Sequence, residues 1–381
     1  MDSPFIFDKS VTGKHFVGRK QDTQSLCNLL RQGEHVALYD TPRSGKSSLI
    51  QQALFQLRTS GFSFTVGQMS LLGIRSRDEF LARLGEAAIR CFASSPGEYE
   101  AIVRELLADT HWVFDREAFA REDRILSRGW DIGDADMDAV IALPFRLASR
   151  FGQNLILILD HFSNIDLIEG GSYPLIKRLE TWLRERGTGC SFLFTGSAFN
   201  AMREIFDERK DFYRIVERFR MQPIDPREFA DHTLKGFLSG GKVIDRDLIS
   251  GVYTLFKGHP GYINHFLSIC NAMAKGYVTE PVLMDALSCL LAIHEPRFIA
   301  TMNGLTTHQV HFLRAVIDGH KKFSTAEVIS RYGLNSSANV KRVREALIKK
   351  EVISFDDNDN PLILDPLFEY WVRQYFFEIN A

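Results

Sequence analysis

His35-Val36-Ala37-Leu38-Tyr39-Asp40-Thr41-Pro42-Arg43-Ser44-Gly45-Lys46-Ser47-Ser48-Leu49-Ile50 is the stretch on which the reading of this chain turns. An apolar run, His35 to Leu38, passes through a short polar loop into a helix-like run, Ser48 to Leu57. Strand, tight loop and helix in that order form the setting that a phosphate-binding loop needs. Gly45 lets the backbone approach a phosphate closely, Lys46 has the reach for β- and γ-phosphates, and the Ser47 hydroxyl can ligate Mg²⁺. The N–H groups opening the helix complete the anion site. Two positions depart from the pattern. Asp40 stands where the loop's first glycine is usual, and Pro42 brings no N–H. Asp tolerates the left-handed region better than most residues, so Asp40 is sterically admissible, although its charge must point away from phosphates. The alternative is an ordinary strand–turn–helix connection.

The bulk numbers narrow the class. A length of 381 residues favours two or three domains. With 45% hydrophobic and 25% charged residues, the composition is that of a soluble globular protein. A net charge of -2 gives no global pull towards nucleic acid or membrane, so any basic site is local. Cys27, Cys91, Cys190, Cys270 and Cys289 are scattered, without metal-ligand spacing, and read as reduced packing residues of a cytoplasmic protein. Met1-Asp2-Ser3-Pro4-Phe5 lacks the layout of a signal peptide, and the run Leu155 to Leu159 is of strand length, so no membrane partner is expected. The 30 Phe are expected in the core.

Along the chain, residues 1 to 15 read as extended, and an amphipathic helix follows Lys20, with Leu26, Leu29 and Leu30 on one face. Phe62 to Met69 is a candidate strand, Ser76 to Phe92 a helix, and about 93 to 138 a helical insertion. Asp138 to Phe151 is helical, and Asn154 to Asp160 is a near-continuous apolar strand, as if buried on both faces. Leu175 to Arg186 reads as a helix, Cys190 to Thr195 as another buried strand, Phe199 to Phe206 as a helix, and Arg218 to Gln222 as a short fifth strand. Alternation of this kind implies a parallel α/β sheet covered by helices. After Pro223-Ile224-Asp225-Pro226 the pattern is helical to about Arg297. Three short helices and two short strands, Val352 to Phe355 and Pro361 to Leu364, then give the layout of a winged helix. The expected division is 1–222, 223–300 and 301–381.

A phosphate loop also needs an acidic residue at the end of a buried strand, and Asp160 fits. The next residue, often a water-polarising Glu in hydrolases of this architecture, is His161. A positioned base contributes roughly 10² to 10⁴ in rate, so hydrolysis is expected to be slow unless His161 substitutes; the alternative is a packing or hydrogen-bonding role. Thr195 and Ser197 are candidates to sense a γ-phosphate, Ser197 alternatively capping the next helix. Arg214, Arg218 and Arg220 could reach a phosphate or form a solvated face.

The ordered set Phe16-Val17-Gly18-Arg19-Lys20, Pro42 to Leu49, Leu159-Asp160-His161-Phe162 and Phe194-Thr195-Gly196-Ser197 resembles the archaeal-type ATPases. These belong to the STAND branch of the AAA+ P-loop NTPases and are related to origin-recognition initiators. Gly258-His259-Pro260-Gly261-Tyr262 resembles the Gly-x-Pro signature of their helical lid, and Asp365 to Trp371 the segment closing their winged helix. The resemblance implies a parallel-sheet core, a helical lid and a C-terminal winged helix, with ATP held between core and lid. It implies Val17, Gly18 and Arg19 beside the adenine, and Pro260 touching the base. Pro42, Arg43, Ser44, Gly45, Lys46, Ser47 and Ser48 would form the phosphate loop, with Ser47 and Asp160 serving Mg²⁺. Lys46, Asp160 and His161 are the candidate catalytic residues. The chain ends just past the winged helix, so the nuclease-like activity of some relatives is not expected.

In a winged helix the third helix usually enters the major groove of DNA. Here it offers Asn339, Lys341, Arg342 and Arg344, with Lys321 and Lys322 nearby in sequence. Duplex DNA is one expected partner, a protein partner or self-association the other. The preferred reading is an ATP-binding switch with slow or partner-stimulated hydrolysis. The alternatives are a DNA-dependent ATPase of replication, transposition or repair, and a non-catalytic, nucleotide-stabilised interaction module.

Overall fold

The computed structural model describes residues 3–184 and 189–379. Five strands form one parallel sheet: β1 (His35–Tyr39), β2 (Phe64–Ser70), β3 (Asn154–Asp160), β4 (Cys190–Gly196) and β5 (Val216–Phe219). Their order is β2-β3-β4-β1-β5. β4 is buried throughout and β3 along its interior, so both faces are covered and their sequences are apolar without alternation. The register sets Ser70 opposite Asp160, Leu159 opposite Phe194, and Tyr39 opposite Gly196. Four strands therefore end level, at the carboxyl edge where open α/β sheets bind ligands.

Phenylalanines make the core beneath this edge. Phe194 lies 4.6 Å from Phe162, 5.4 Å from Phe212 and 5.6 Å from Phe206, ring centre to ring centre. All four are buried. Tilted aromatic pairs at such distances add to the stabilisation from burial.

Several boundaries differ from expectation. β5 starts at Val216 rather than Arg218, because Val216 pairs opposite His35 and the strand stops before Arg220. The insertion is not wholly helical. Helix Pro96–Leu106 precedes a two-stranded antiparallel pair, Trp112–Val113 with Ser127–Arg128, whose strands are joined through helix Arg116–Glu122. Trp112 is buried and its indole donates to the Asp136 carbonyl at 3.2 Å, while Trp130 is 74% exposed. The next helix, Asp134–Phe151, begins before Asp138 because the Asp136 carboxylate accepts from Gly133 N–H at 2.7 Å. Helix Tyr173–Leu183 follows β3; the end expected at Arg186 lies outside the described residues.

These elements form one compact unit, Lys20–Asp40 with Gln52–Met221. The other unit gathers the residues up to Arg19, the segment Thr41–Gln51, and the chain from Gln222 onward. Its helices Pro226–Ser239, Arg246–Leu255, Pro260–Met273 and Glu280–Asn303 are followed by Thr307–Ile317, Ala326–Arg331 and Ser337–Lys349. An antiparallel hairpin, Ile353–Phe355 with Pro361–Ile363, and a last short helix, Pro366–Trp371, complete it. Asp225 caps the first helix through Arg227 and Glu228 N–H. Helix Glu280–Asn303 carries the chain across residue 300 without a break. Among the described residues no helix is long and apolar enough to cross a membrane.

Phe194→Ala empties the centre of the aromatic cluster, and we expect it to cost about 3–5 kcal/mol, read from the urea midpoint of unfolding.

Candidate functional site

The loop after β1 is tight because its backbone twice enters the left-handed region. Arg43 has φ 61° and Gly45 has φ 97°. Asp40 does not, so the absent glycine costs no backbone strain there. Gly45 is required on two counts: its φ disfavours L side chains, and a Cβ would lie 2.9 Å from Arg19 Nη1. Ser44 N–H donates to the Thr41 carbonyl at 3.4 Å, and Leu49 N–H to the Gly45 carbonyl at 3.0 Å as the helix Lys46–Thr59 starts. Lys46 is buried. Its ammonium donates to the Thr41 carbonyl at 2.7 Å, folding back along the loop. Ser47 is exposed. The Ser48 hydroxyl accepts from Val11 N–H at 3.1 Å, which ties the N-terminal arm to the helix.

Val17, Gly18 and Arg19 belong to the same unit as the loop. Arg19 donates to the Ser44 carbonyl at 2.8 Å and the Gln222 carbonyl at 3.0 Å, bracing the loop against the start of the helical region. A Cβ on Gly18 would meet Ile224 at 3.0 Å and Glu228 at 3.2 Å, so this segment packs closely on helix Pro226–Ser239. Val17 packs against the same apolar core. From the other direction, His259 Nε2 donates to the Pro42 carbonyl at 3.0 Å while its Nδ1 accepts from Tyr262 N–H at 3.3 Å. That pair of bonds calls for the neutral ring with its proton on Nε2. The Pro260 ring lies 3.8 Å from where a Gly45 Cβ would be. Gly261 admits no side chain, since a Cβ would sit 2.5 Å from Arg43 Cβ.

The strand ends of the sheet carry the second cluster. Thr195 donates its hydroxyl to Asp160 Oδ1 at 2.6 Å, and His161 N–H donates to the same oxygen at 2.9 Å. His161 holds a left-handed backbone at φ 55°, a state that is uncommon outside glycine but that His enters more readily than most side chains. Its Nδ1 lies 3.1 Å from Ser70 Oγ and 3.4 Å from Asp160 Oδ2. With the proton on Nδ1, shared between those oxygens, Nε2 presents a lone pair. Ser70 also accepts from Leu72 N–H, and nothing in the sequence around it marks it as a site residue. It sits 90 positions before Asp160, and only the pairing of β2 with β3 brings them together. Ser197 is half-buried, and helix Phe199–Arg203 begins at Ala198 without a side-chain cap, so Ser197 does not cap it. Arg218 pairs with Asp207 at 2.9 Å, and Asp207 also accepts from the Tyr39 hydroxyl at 2.7 Å. Burial, then the bond to Asp207, raises the Tyr39 hydroxyl well above its ordinary pKa. The Arg214 guanidinium lies over the Tyr213 ring.

On the winged helix, Arg344 is held by Asp359 of the hairpin turn and lies over the Phe355 ring at 3.5 Å. Asn339 donates to the Leu334 carbonyl at 3.0 Å. Both side chains are spent within the domain, whereas Lys341 and Arg342 are exposed. Lys321, Lys322 and Lys341 line a groove of about 800 Å³.

A family model described as "Probable winged helix domain" matches residues 296–374. No curated protein matches the chain. Among solved structures, a Walker-type ATPase of Pyrococcus abyssi aligns over 97% of this chain and 99% of its own, with a TM-score of 0.68 and 17% identity. The ORC2 protein of Aeropyrum pernix aligns in its ADP form over 95% of this chain and 93% of its own, TM-score 0.51, 13% identity. Its ADPNP–ADP complexes align over 92% of each chain, TM-score 0.50, 12% identity. The chain thus has the mixed α/β, parallel-sheet fold of AAA+ ATPases, with a winged helix towards its C-terminus. At these identities the likeness is one of fold.

Burial, with Arg297 next, lowers the His294 imidazole to about 4; Arg43 and His265 add to this and Asp365 opposes it. Burial lowers His265 too. Below about pH 6.5 the unfolded chain takes up protons that these folded rings refuse. Their contribution is therefore complete above that pH and is lost as pH falls towards 4. We expect the thermal midpoint to drop between pH 7 and pH 4.5, and His294→Gln to flatten that slope.

Proposed function

We propose that this chain is an ATP-binding molecular switch with slow or partner-stimulated hydrolysis. One observation carries the reading: a buried lysine and a left-handed glycine open a 14-residue helix, with Arg19 and His259 bonded to the loop's carbonyls. The donor set fits a polyphosphate. Gly45 puts no side chain of its own on the loop, and the Lys46 ammonium donates to a neutral carbonyl that an anion can outbid. In this reading Lys46 and the first N–H groups of the helix bind the β- and γ-phosphates. Ser47 and Asp160 serve Mg²⁺. Val17, Gly18, Arg19 and Pro260 take the nucleoside end. When bound, Mg²⁺·ATP supplies the phosphoanhydride, and its metal ion neutralises charge on the phosphate oxygens.

His161 acts as the base in place of the usual carboxylate. Asp160 and Ser70 hold its Nδ1, which leaves Nε2 to take a proton from water. An imidazole that shares its orienting carboxylate with the metal is a compromise, and slow turnover follows from it. The fold of the Pyrococcus abyssi Walker-type ATPase supports the coarser reading, an ATPase of AAA+ architecture.

A second reading, duplex DNA on the winged helix, is favoured by the exposed Lys341 and Arg342 beside the Lys321–Lys322 groove. A protein partner on the same domain is the competing occupant.

Fluorescent ATP should bind with Mg²⁺, and Lys46→Ala should abolish binding. His161→Ala should keep affinity and lower turnover by about 10². Bound nucleotide with no turnover under any condition would instead indicate a non-catalytic module. For DNA, Lys341→Ala with Arg342→Ala should weaken duplex binding evenly across sequences and reduce the salt slope by about two. A wild-type chain that ignores duplex DNA at low salt removes that reading.

A further inference from the structure

The turn Lys257–Tyr262 is bonded on two sides. Towards the loop, His259 holds the Pro42 carbonyl at 3.0 Å, and Gly261 abuts Arg43 with no room for a methyl group. Away from the loop, the same six residues hold the last helix of the winged helix. Lys257 donates to the Glu369 carboxylate at 2.5 Å, and the Tyr262 hydroxyl donates to Asp365 Oδ2 at 2.7 Å. The other Asp365 oxygen accepts from Leu367 and Phe368 N–H, both at 3.0 Å, and so caps helix Pro366–Trp371. Arg297 closes a triangle, donating to the Tyr262 hydroxyl at 2.8 Å and pairing with Asp365 at 2.9 Å. Glu295, two residues earlier, accepts from the Trp371 indole at 3.1 Å. Backbone bonds set the path of the turn: Gly258 N–H donates to the Tyr253 carbonyl at 2.8 Å and His259 N–H to the Phe256 carbonyl at 2.9 Å.

Behind the triangle the packing is incomplete in its polar contacts. His265 Nδ1 and His294 Nε2 are buried without a hydrogen-bond partner, their rings 5.6 Å apart. His294 meets the Tyr262 ring edge-on at 5.4 Å. A buried orphan of this kind disfavours the arrangement that creates it.

We propose that the turn Lys257–Tyr262 is the link that passes the state of the loop Thr41–Gly45 to helix Pro366–Trp371, with Tyr262, Arg297 and Asp365 as its latch. This rests on the nucleotide reading of the loop. Nucleotide phosphate entering the loop competes with the Pro42 carbonyl for the His259 donor and with Gly261 for space, and the turn moves as a piece. The latch then opens or tightens. By linkage, a ligand of the winged helix that favours one latch state changes nucleotide affinity by the same factor.

The test is amide hydrogen exchange on the full chain, with Mg²⁺·ATP, with ADP and without nucleotide. Wild type should show nucleotide-dependent protection at 353–371. Tyr262→Phe combined with Lys257→Ala should bind Mg²⁺·ATP within about threefold of wild type yet lose most of that difference. Asp365→Asn keeps an oxygen for the helix cap and should behave the same way, which covers the case in which the double variant does not fold. Undiminished protection in either folded variant overturns the latch. Wild type that binds nucleotide without any change at 353–371 overturns it too and leaves the nucleotide reading standing. Wild type that binds no nucleotide overturns both.

Discussion

The backbone around Gly45 is the constraint on which the rest of the candidate site depends. The chain leaves a buried strand and enters a helix within a few residues, and it does so through left-handed backbone at Arg43 and Gly45. That path points carbonyls outward, where Arg19, Lys46 and His259 find them. A side chain at Gly45 would collide with the arginine that braces the loop. The conformational freedom of one residue thus sets the positions of three cationic or imidazole groups.

The sheet and its carboxyl edge were legible because buried parallel strands need unbroken apolar runs. β3 and β4 stand out in the sequence for that reason, and Asp160 and Thr195 can be placed at their ends without knowing the strand order. Ser70 cannot, since its place beside them exists only once β2 is known to pair with β3 in register. The antiparallel pair in the insertion is two residues per strand, too short to show a period. The commitment of Arg344 to Asp359 and Phe355 was equally invisible, because charge on a helix face reads the same whether it is free or clamped. Asp40, sterically admissible by its sequence, carries no left-handed backbone, because that position lies three residues further on.

The strand-end cluster shows how one departure can alter a whole site. A glutamate after Asp160 would stand as a separate charge. His161 instead shares Asp160 through both its backbone N–H and its ring, and it draws in Ser70. Four side chains, with Thr195, then form one hydrogen-bonded chain across three strands. Altering any member re-aims the others, so single substitutions there will not add independently.

Three of the four tryptophans occupy unlike surroundings. Trp112 is sealed in the insertion, Trp371 is packed with its indole on Glu295, and Trp130 stands in solvent. Their emission should differ in colour, and a dissolved quencher such as iodide should reach Trp130 first. The chain carries optical labels of its own: Trp112 and Trp130 for the insertion, and Trp371 for the end of the winged helix.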